Sequence, residues 1–171
     1  MGKDKRIPSK LSKTRIAAEM RRVFGEDTKR IRHALDVLFF AETILPEEGG
    51  AEDVIVAAAL LHDIGIQEAE RKYGSNAGRY QEIEGPPIAR KILESLDADP
   101  AVIDEVCDII AHHHSPRKDE TQNYKILYDS DMIVNLRDES PPEARGRLAE
   151  KIERLFFTRT GLKAARKALF G

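Results

Sequence analysis

The sequence predicts an all-α fold, a single-domain helical bundle, and three observations support this class. Apolar residues recur at helical spacing through most of the chain, whereas the alternation typical of strands is scarce. Residues 54–61 are apolar on every side, as expected of a helix at the centre of a bundle. Hydrophobic residues make up 41% of the chain and charged residues 34%, the balance of a globular domain. We expect one domain over residues 1–171, a length that can bury a core.

The first two helices are predicted from their caps and their apolar spacing. Ser9 or Ser12 can cap a helix that ends near Gly25, and Asp27 can cap the next one. On this second helix His33 points toward the core, because it shares a face with Val37, Phe40 and Ile44.

His62 and Asp63 directly follow the apolar central helix, and Gly65 is expected to stop it. A carboxylate at the end of a buried helix is unfavourable unless it is paired or bound to a metal cation. The pair is therefore either a metal-ligand pair or a packed core histidine beside a helix-ending aspartate.

Residues 65–85 are expected to form a long irregular loop, because they contain the turn formers Gly74, Ser75, Asn76 and Gly78. Gly85-Pro86-Pro87 is interpreted as a stop followed by a new helix start. Loops of this length in compact domains often close over binding sites, so a lid is expected. Three of its cations are candidates to bind phosphate, with plain surface charge as the alternative: Arg71, Lys72 and Arg79.

Two later helices carry further polar residues. Asp99-Pro100 starts a helix that is expected to reach His112-His113-His114. Helical phase turns His113 inward, then His114, and leaves His112 at the surface. The following helix places Asp131 on an otherwise buried face, and the segment from Ser140 to Glu143 matches a capping box.

Bulk composition narrows the function class. A net charge of -2 argues against a general nucleic-acid-binding surface, and no apolar run is long enough to span a membrane. Residues 1–6 are basic but lack a following apolar segment, so no secretory signal is expected. Cys107, the single cysteine, cannot form an internal disulfide, which favours a cytoplasmic protein, and it is interpreted as a small core residue. The composition also permits an oligomer.

Four inward-facing polar residues on three helices then form a set: His33, His62, Asp63 and Asp131. Two imidazoles and two carboxylates suit a divalent transition metal, Mn, Fe, Co, Ni or Zn, with positions left for water and substrate. A metal held in this way would activate water and polarise a phosphoryl oxygen.

The order His, His-Asp, Asp on successive helices resembles the HD-domain superfamily of metal-dependent phosphohydrolases. His62-Asp63-Ile64-Gly65 is similar to the HDIG form of the motif, and Ser130-Asp131-Met132 lies where the family usually has Ala-Asp before an apolar residue. The resemblance covers about residues 28–138, between an N-terminal helix in residues 1–26 and C-terminal helices in residues 140–171. It implies that one divalent metal is bound in an all-α bundle by His33, His62, Asp63 and Asp131.

Many members of this superfamily hold a second metal. They use a histidine four residues before a mid-chain glycine and one or two histidines at the end of the next helix. The latter are present as His113 and His114, but Gln81 occupies the former position, four residues before Gly85. Glu82 is a candidate substitute, with a solvated carboxylate as the alternative. The resemblance leaves His113 three roles: second-metal ligand, contact to substrate phosphate, or general acid.

The resemblance predicts an enzyme that cleaves the phosphate ester of a small substrate with metal-activated water, and a nucleotide is one candidate substrate. Asp63 would bind the metal and orient the water, and His113 would protonate the leaving oxygen or bind phosphate. Two alternatives stay open. One is a diiron oxygenase of the HD type, and the other is a non-catalytic module that binds a nucleotide or a partner protein.

Overall fold

The structure, a computed structural model, describes residues 11–171, so the expectations for Ser9 as a cap and for the absence of a signal sequence lie outside the described residues. Residues 11–171 form no strand and contain nine α-helices: α1 Lys13–Phe24, α2 Thr28–Glu48, α3 Glu52–Leu61, α4 Ile66–Tyr73, α5 Gly78–Ser95, α6 Pro100–Ile110, α7 Gln122–Glu139, α8 Arg145–Lys151 and α9 Arg159–Phe170. Two short 3-10 turns, Pro142–Ala144 and Ile152–Arg154, flank α8. The all-α prediction is confirmed.

Helix α3 lies at the centre of the bundle, as its composition predicts. Its last eight residues are buried, and it packs against α1, α2, α6 and α7. Helix α2 in turn packs along α7, so three helices meet where α3 ends. Three predicted caps are present, since the side chains of Ser12, Asp27 and Asp99 each accept a backbone N–H at the start of a helix.

The expected loop over residues 65–85 is wrong. Only residues 74–77 lie between the end of α4 and the start of α5. Gly85-Pro86-Pro87 also lies inside the continuous helix α5, and is not a stop and restart. Packing of α5 on both α4 and α6 keeps it helical although two prolines remove backbone donors. The three candidate phosphate-binding cations therefore stand on helices and not on a lid.

Gly65 lets two backbone segments pack closely, and it does not end a helix in the left-handed backbone conformation. Its φ is -83°, a value open to any residue, but a Cβ added there would lie 2.7 Å from the Cα of Gly85 and 2.8 Å from the carbonyl carbon of Glu84. Two glycines thus let the turn after α3 touch the backbone of α5 directly.

Gly65→Ala is expected to lower the free energy of unfolding by about 2–3 kcal/mol, because backbone atoms of α5 would have to move to admit the methyl group. Chemical denaturation measures the change. Gly146→Ala is the matched control, because no heavy atom lies within 4 Å of the added Cβ in α8 and the helix gains propensity. Equal stabilities of the two variants would contradict the close contact.

The C-terminal helices are joined to α7 by Asp129, which is fully buried. Its carboxylate accepts hydrogen bonds from the backbone N–H groups of Phe157 and Thr158 and from the Thr158 hydroxyl.

The predicted capping box at Ser140 is wrong: Ser140 ends α7, and the prolines after it start a 3-10 turn with no side-chain cap.

Two further expectations concern the core and the membrane. Cys107 is buried, which agrees with its interpretation as a small core residue. Among the helices of residues 11–171, none has both the length and the apolarity needed to cross a membrane.

Candidate metal centre

The turn after α3 presents His62 and Asp63 to the interior. His62 is 1% exposed, and its Nδ1 donates to the carbonyl oxygen of Ala59 at 2.9 Å. Because a carbonyl can only accept, Nδ1 carries the hydrogen and Nε2 faces the cluster. A backbone partner of this kind fixes the tautomer of histidines that bind metals.

His33 of α2 and Asp131 of α7 complete the cluster predicted from helical phase. The Nε2 of His33 lies 3.0 Å from Asp131 Oδ1, 3.2 Å from His62 Nε2 and 3.5 Å from Asp63 Oδ2. The Nε2 of His62 lies 3.5 Å from both Asp63 Oδ2 and Asp131 Oδ1. The two imidazole nitrogens therefore each have one carboxylate oxygen of Asp63 and one of Asp131 within 3.5 Å.

These distances fit a shared cation. Ligand atoms about 2.1 Å from one ion and about 90–110° apart lie about 3.0–3.4 Å from one another. The side chains of His33, Asp63 and Asp131 are 18%, 18% and 13% exposed, so the cluster is reachable from solvent. His33, His62 and Asp63 could hold a divalent metal, and Asp131 Oδ1 lies beside both imidazoles. These imidazole and carboxylate donors suit the first-row transition ions.

The cluster also controls the charge of its members. Burial disfavours the charged imidazole of His62, but the carboxylates of Asp63 and Asp131 outweigh it and raise the pKa of His62 to about 9. Burial likewise opposes the ionised form of both aspartates, yet the charge of His62 lowers the pKa of Asp63 and of Asp131 below the usual range. The protonated His62 therefore supplies positive charge to the two carboxylates, as a bound cation would.

Metal binding to chelator-stripped protein is expected to release about one proton per ion at pH 7, because a His62 with a pKa of about 9 is protonated there and must lose its proton to bind. The apparent affinity should rise about tenfold per pH unit up to about pH 9. Since the folded-state pKa is the higher one, the stripped protein should also lose stability as the pH rises from about 6.5 through 9. Calorimetric titration in buffers of different ionisation enthalpy measures the proton, and a count of zero would contradict this electrostatic account.

A second group of donors adjoins the first through the other oxygen of Asp63. His113 is buried, and its Nε2 lies 3.4 Å from Asp63 Oδ1. Nδ1 of His113 donates to the carbonyl of Ile110 at 2.8 Å, and the buried Nε2 has no well-formed hydrogen bond to any described residue. Asp63, His113 and His114 together could hold another ion.

Gln81, which stands where related proteins have a histidine, faces His114 and not the four-residue cluster. Its neighbour Glu82 also contacts His114. Gln81 is buried, its Nε2 donates to the carbonyl of Asn76, and its Oε1 lies 3.2 Å from His114 Nε2. Glu82 accepts from the backbone N–H of His114 at 3.0 Å and from the Ser115 hydroxyl at 3.3 Å. Glu82 thus has a local hydrogen-bonding role, and its substitution for the missing ligand stays a prediction.

The expected order of the histidine triplet is wrong at His112 and at His114. His112 is buried at 6% exposure, whereas His114 is the exposed member. Helix α6 ends at Ile110, so the triplet lies in the turn beyond it and does not follow helical phase. His113 faces inward as predicted.

The three candidate phosphate-binding cations all have partners within the protein. Lys72 lies 2.7 Å from Glu84, Arg71 pairs with Glu68, and the guanidinium of Arg79 stands over the Tyr80 ring at 4.6 Å. Their role as phosphate ligands stays a prediction.

Sequence reasoning missed several residues around the cluster. Asn135 donates to Asp131 Oδ1 at 3.0 Å, and its position four residues after Asp131 on one helix could have indicated the contact. Glu120 and Tyr124, which surround His112, gave no such signal because their contacts depend on the path of the turn after α6.

The family model of the HD domain matches residues 30–155. This range is most of the chain and includes all four cluster residues. The chain belongs to the HD-domain family. A crystal structure of a predicted HD superfamily hydrolase from an uncultured Thermotogales bacterium is similar to this HD domain, with 27% sequence identity, a TM-score of 0.66, and coverage of 91% of this chain and 83% of that chain. No curated protein matches the chain.

These findings support placement of this HD domain in a superfamily of metal-dependent hydrolases. Proteins with HD domains bind divalent metals, and this chain has His and Asp groups that could hold one.

Proposed function

We propose that the protein is a metal-dependent phosphohydrolase that cleaves a phosphate ester of a small molecule, with nucleotides as the first class to test. One observation carries the proposal: the Nε2 atoms of His33 and His62 lie 3.2 Å apart and 3.0–3.5 Å from carboxylate oxygens of Asp63 and Asp131, beside the buried Nε2 of His113. Hydrolysis needs an activated water, a proton source and restricted access of bulk water, and this cluster brings groups suited to the first two together at a largely buried position.

The four residues that would hold one divalent transition metal are His33, His62, Asp63 and Asp131. Such an ion, when bound, lowers the pKa of water and polarises a phosphoryl oxygen. The two carboxylates offset the charge of a divalent cation, and the Ala59 carbonyl keeps the Nε2 lone pair of His62 directed at the donors.

Asp63 acts at the boundary of the two groups. Its Oδ2 faces His33 and His62, while its Oδ1 faces His113. A carboxylate oxygen in this position accepts a hydrogen bond from the attacking water and orients it toward phosphorus.

His113 is the group that exchanges a proton with the substrate. Its Nδ1 hydrogen is committed to the Ile110 carbonyl, so Nε2 is the nitrogen that can take up a second proton and then donate it to the leaving oxygen or to a phosphate oxygen. The His113 ring packs edge-on against the His62 ring, with centroids 5.5 Å apart, so the proton source stands directly beside the metal ligands.

Two other functions make different predictions. A diiron oxygenase needs a complete second site, and Gln81 stands where related proteins supply a histidine to it. A non-catalytic module has no need of four converging donors, and it would show metal or nucleotide binding without turnover.

A panel of nucleotides and small phosphate esters, tested with Mn, Co, Ni, Mg and Fe, decides among them. We expect metal-dependent release of inorganic phosphate from at least one compound, abolished by a chelator and by His62→Ala. No turnover of any compound, together with two irons per chain, would support the oxygenase and reject the hydrolase.

A further inference from the structure

The turn between α6 and α7 encloses a buried His112. Its ring stacks on Tyr124, with centroids 4.6 Å apart and an interplanar angle of 8°. Nδ1 donates to the Asp108 carbonyl at 2.5 Å, and Nε2 lies 3.1 Å from both carboxylate oxygens of Glu120. The His112 and Glu120 side chains are only 8% and 3% exposed. Both ring nitrogens therefore face oxygen acceptors inside the protein.

Tyr124 also fixes the backbone of this turn. Its buried phenol lies 3.1 Å from the carbonyl oxygen of His112 and 3.3 Å from that of His113, and it donates its hydrogen to this pair of carbonyls. On the other side, Glu82 accepts from the backbone N–H of His114. The peptide groups on both sides of His113 are thus held by neighbouring helices.

This arrangement determines where the His113 ring can point. The ring hydrogen-bonds to the Ile110 carbonyl just before the turn, and its Nε2 comes within 3.4 Å of Asp63 Oδ1. If the backbone at His112 shifted, the His113 ring could not keep both distances. The contacts of His112 itself are with Asp108, Glu120 and Tyr124, away from Asp63.

We propose that His112, Glu120 and Tyr124 are positioning residues that hold His113 against Asp63. The proposal rests on the proposed function for the role of His113, but the placement of that ring can be measured without turnover. A buried pair of polar side chains adds little stability compared with well-packed apolar residues, so a merely structural role would be filled equally well by an apolar pair.

The first test is a long-range proton–nitrogen spectrum of the histidine rings in the full-length protein. Glu120→Ala should shift the His113 ring signals and speed exchange of its Nδ1 hydrogen. Asp104→Asn is the matched control, because its exposed side chain in α6 pairs with Arg90, away from the turn, and should leave His113 unchanged. Unchanged His113 signals in Glu120→Ala would overturn the proposal.

The second test is steady-state kinetics on a substrate that the wild type hydrolyses. Glu120→Ala should lower kcat about 10- to 100-fold with nearly unchanged KM and metal content, because a misplacement of about 1 Å has this scale of effect. Glu120→Gln keeps an oxygen that accepts from His112 and from the Arg117 N–H, so it should stay within about threefold of wild type.

A double variant separates positioning from folding. His112→Phe with Glu120→Met replaces the buried pair by apolar side chains and should fold with near-native stability, since no unpaired charge is left. We expect its kcat to stay low and its His113 signals to stay shifted. Wild-type kcat and wild-type spectra in this variant would show that the pair is only structural. If the wild type hydrolyses no phosphate ester, the proposed function fails, and the spectra alone still decide the positioning claim.

Discussion

Asp131→Ala is expected to lose most of the bound divalent metal and to lower kcat for phosphate release by about 10³-fold or more. Asp131 Oδ1 lies within 3.0–3.5 Å of two imidazole nitrogens and supplies one of the two carboxylate charges in the cluster. Removal of residues that only support metal ligands typically costs about 10- to 100-fold in metal affinity or activity, so loss of a direct ligand costs more.

Elemental analysis and phosphate release measure the two effects of Asp131→Ala. Asp138→Asn is the matched control, because it lies on the same helix with a 43% exposed side chain paired to Arg137. It should keep both the metal and the activity. Full metal content in Asp131→Ala would show that the cluster is not the metal site.

His113→Gln is expected to lower kcat by about 10²- to 10³-fold, the scale of general acid–base catalysis, while the metal held by the other four residues is retained. His114→Gln should cost less than about tenfold, because His114 is the exposed member of the triplet and its Nε2 faces Gln81. A loss of metal in His113→Gln equal to that in Asp131→Ala would instead make His113 an essential metal ligand.

Regular helices account for what the sequence predicted correctly. His33 and Asp131 lie well inside α2 and α7, where a rotation of about 100° per residue is maintained, so helical phase placed both beside His62 and Asp63. The apolar stretch of α3 is buried in the same way as its composition predicts.

The sequence-based predictions are wrong where tertiary contacts determine the local structure. Helix α6 ends before the triplet, so helical phase could not place His112, whose environment depends on Glu120 eight residues later. Residues 65–85 contain many turn formers, yet contact between Gly65 and Gly85 packs two helices together there. Neither the end of a helix nor the contact of two distant glycines follows from local composition.

Metal titration of stripped protein, with phosphate release measured at each addition, tests the central claim most directly. The account predicts that activity rises in proportion to added Mn or Co and stops rising at one equivalent per chain, and that His62→Ala shows no rise. A plateau at two equivalents would place a second ion beside Asp63, His113 and His114 and contradict the one-ion site. No phosphate release at any metal level, from any substrate, would contradict the hydrolase itself.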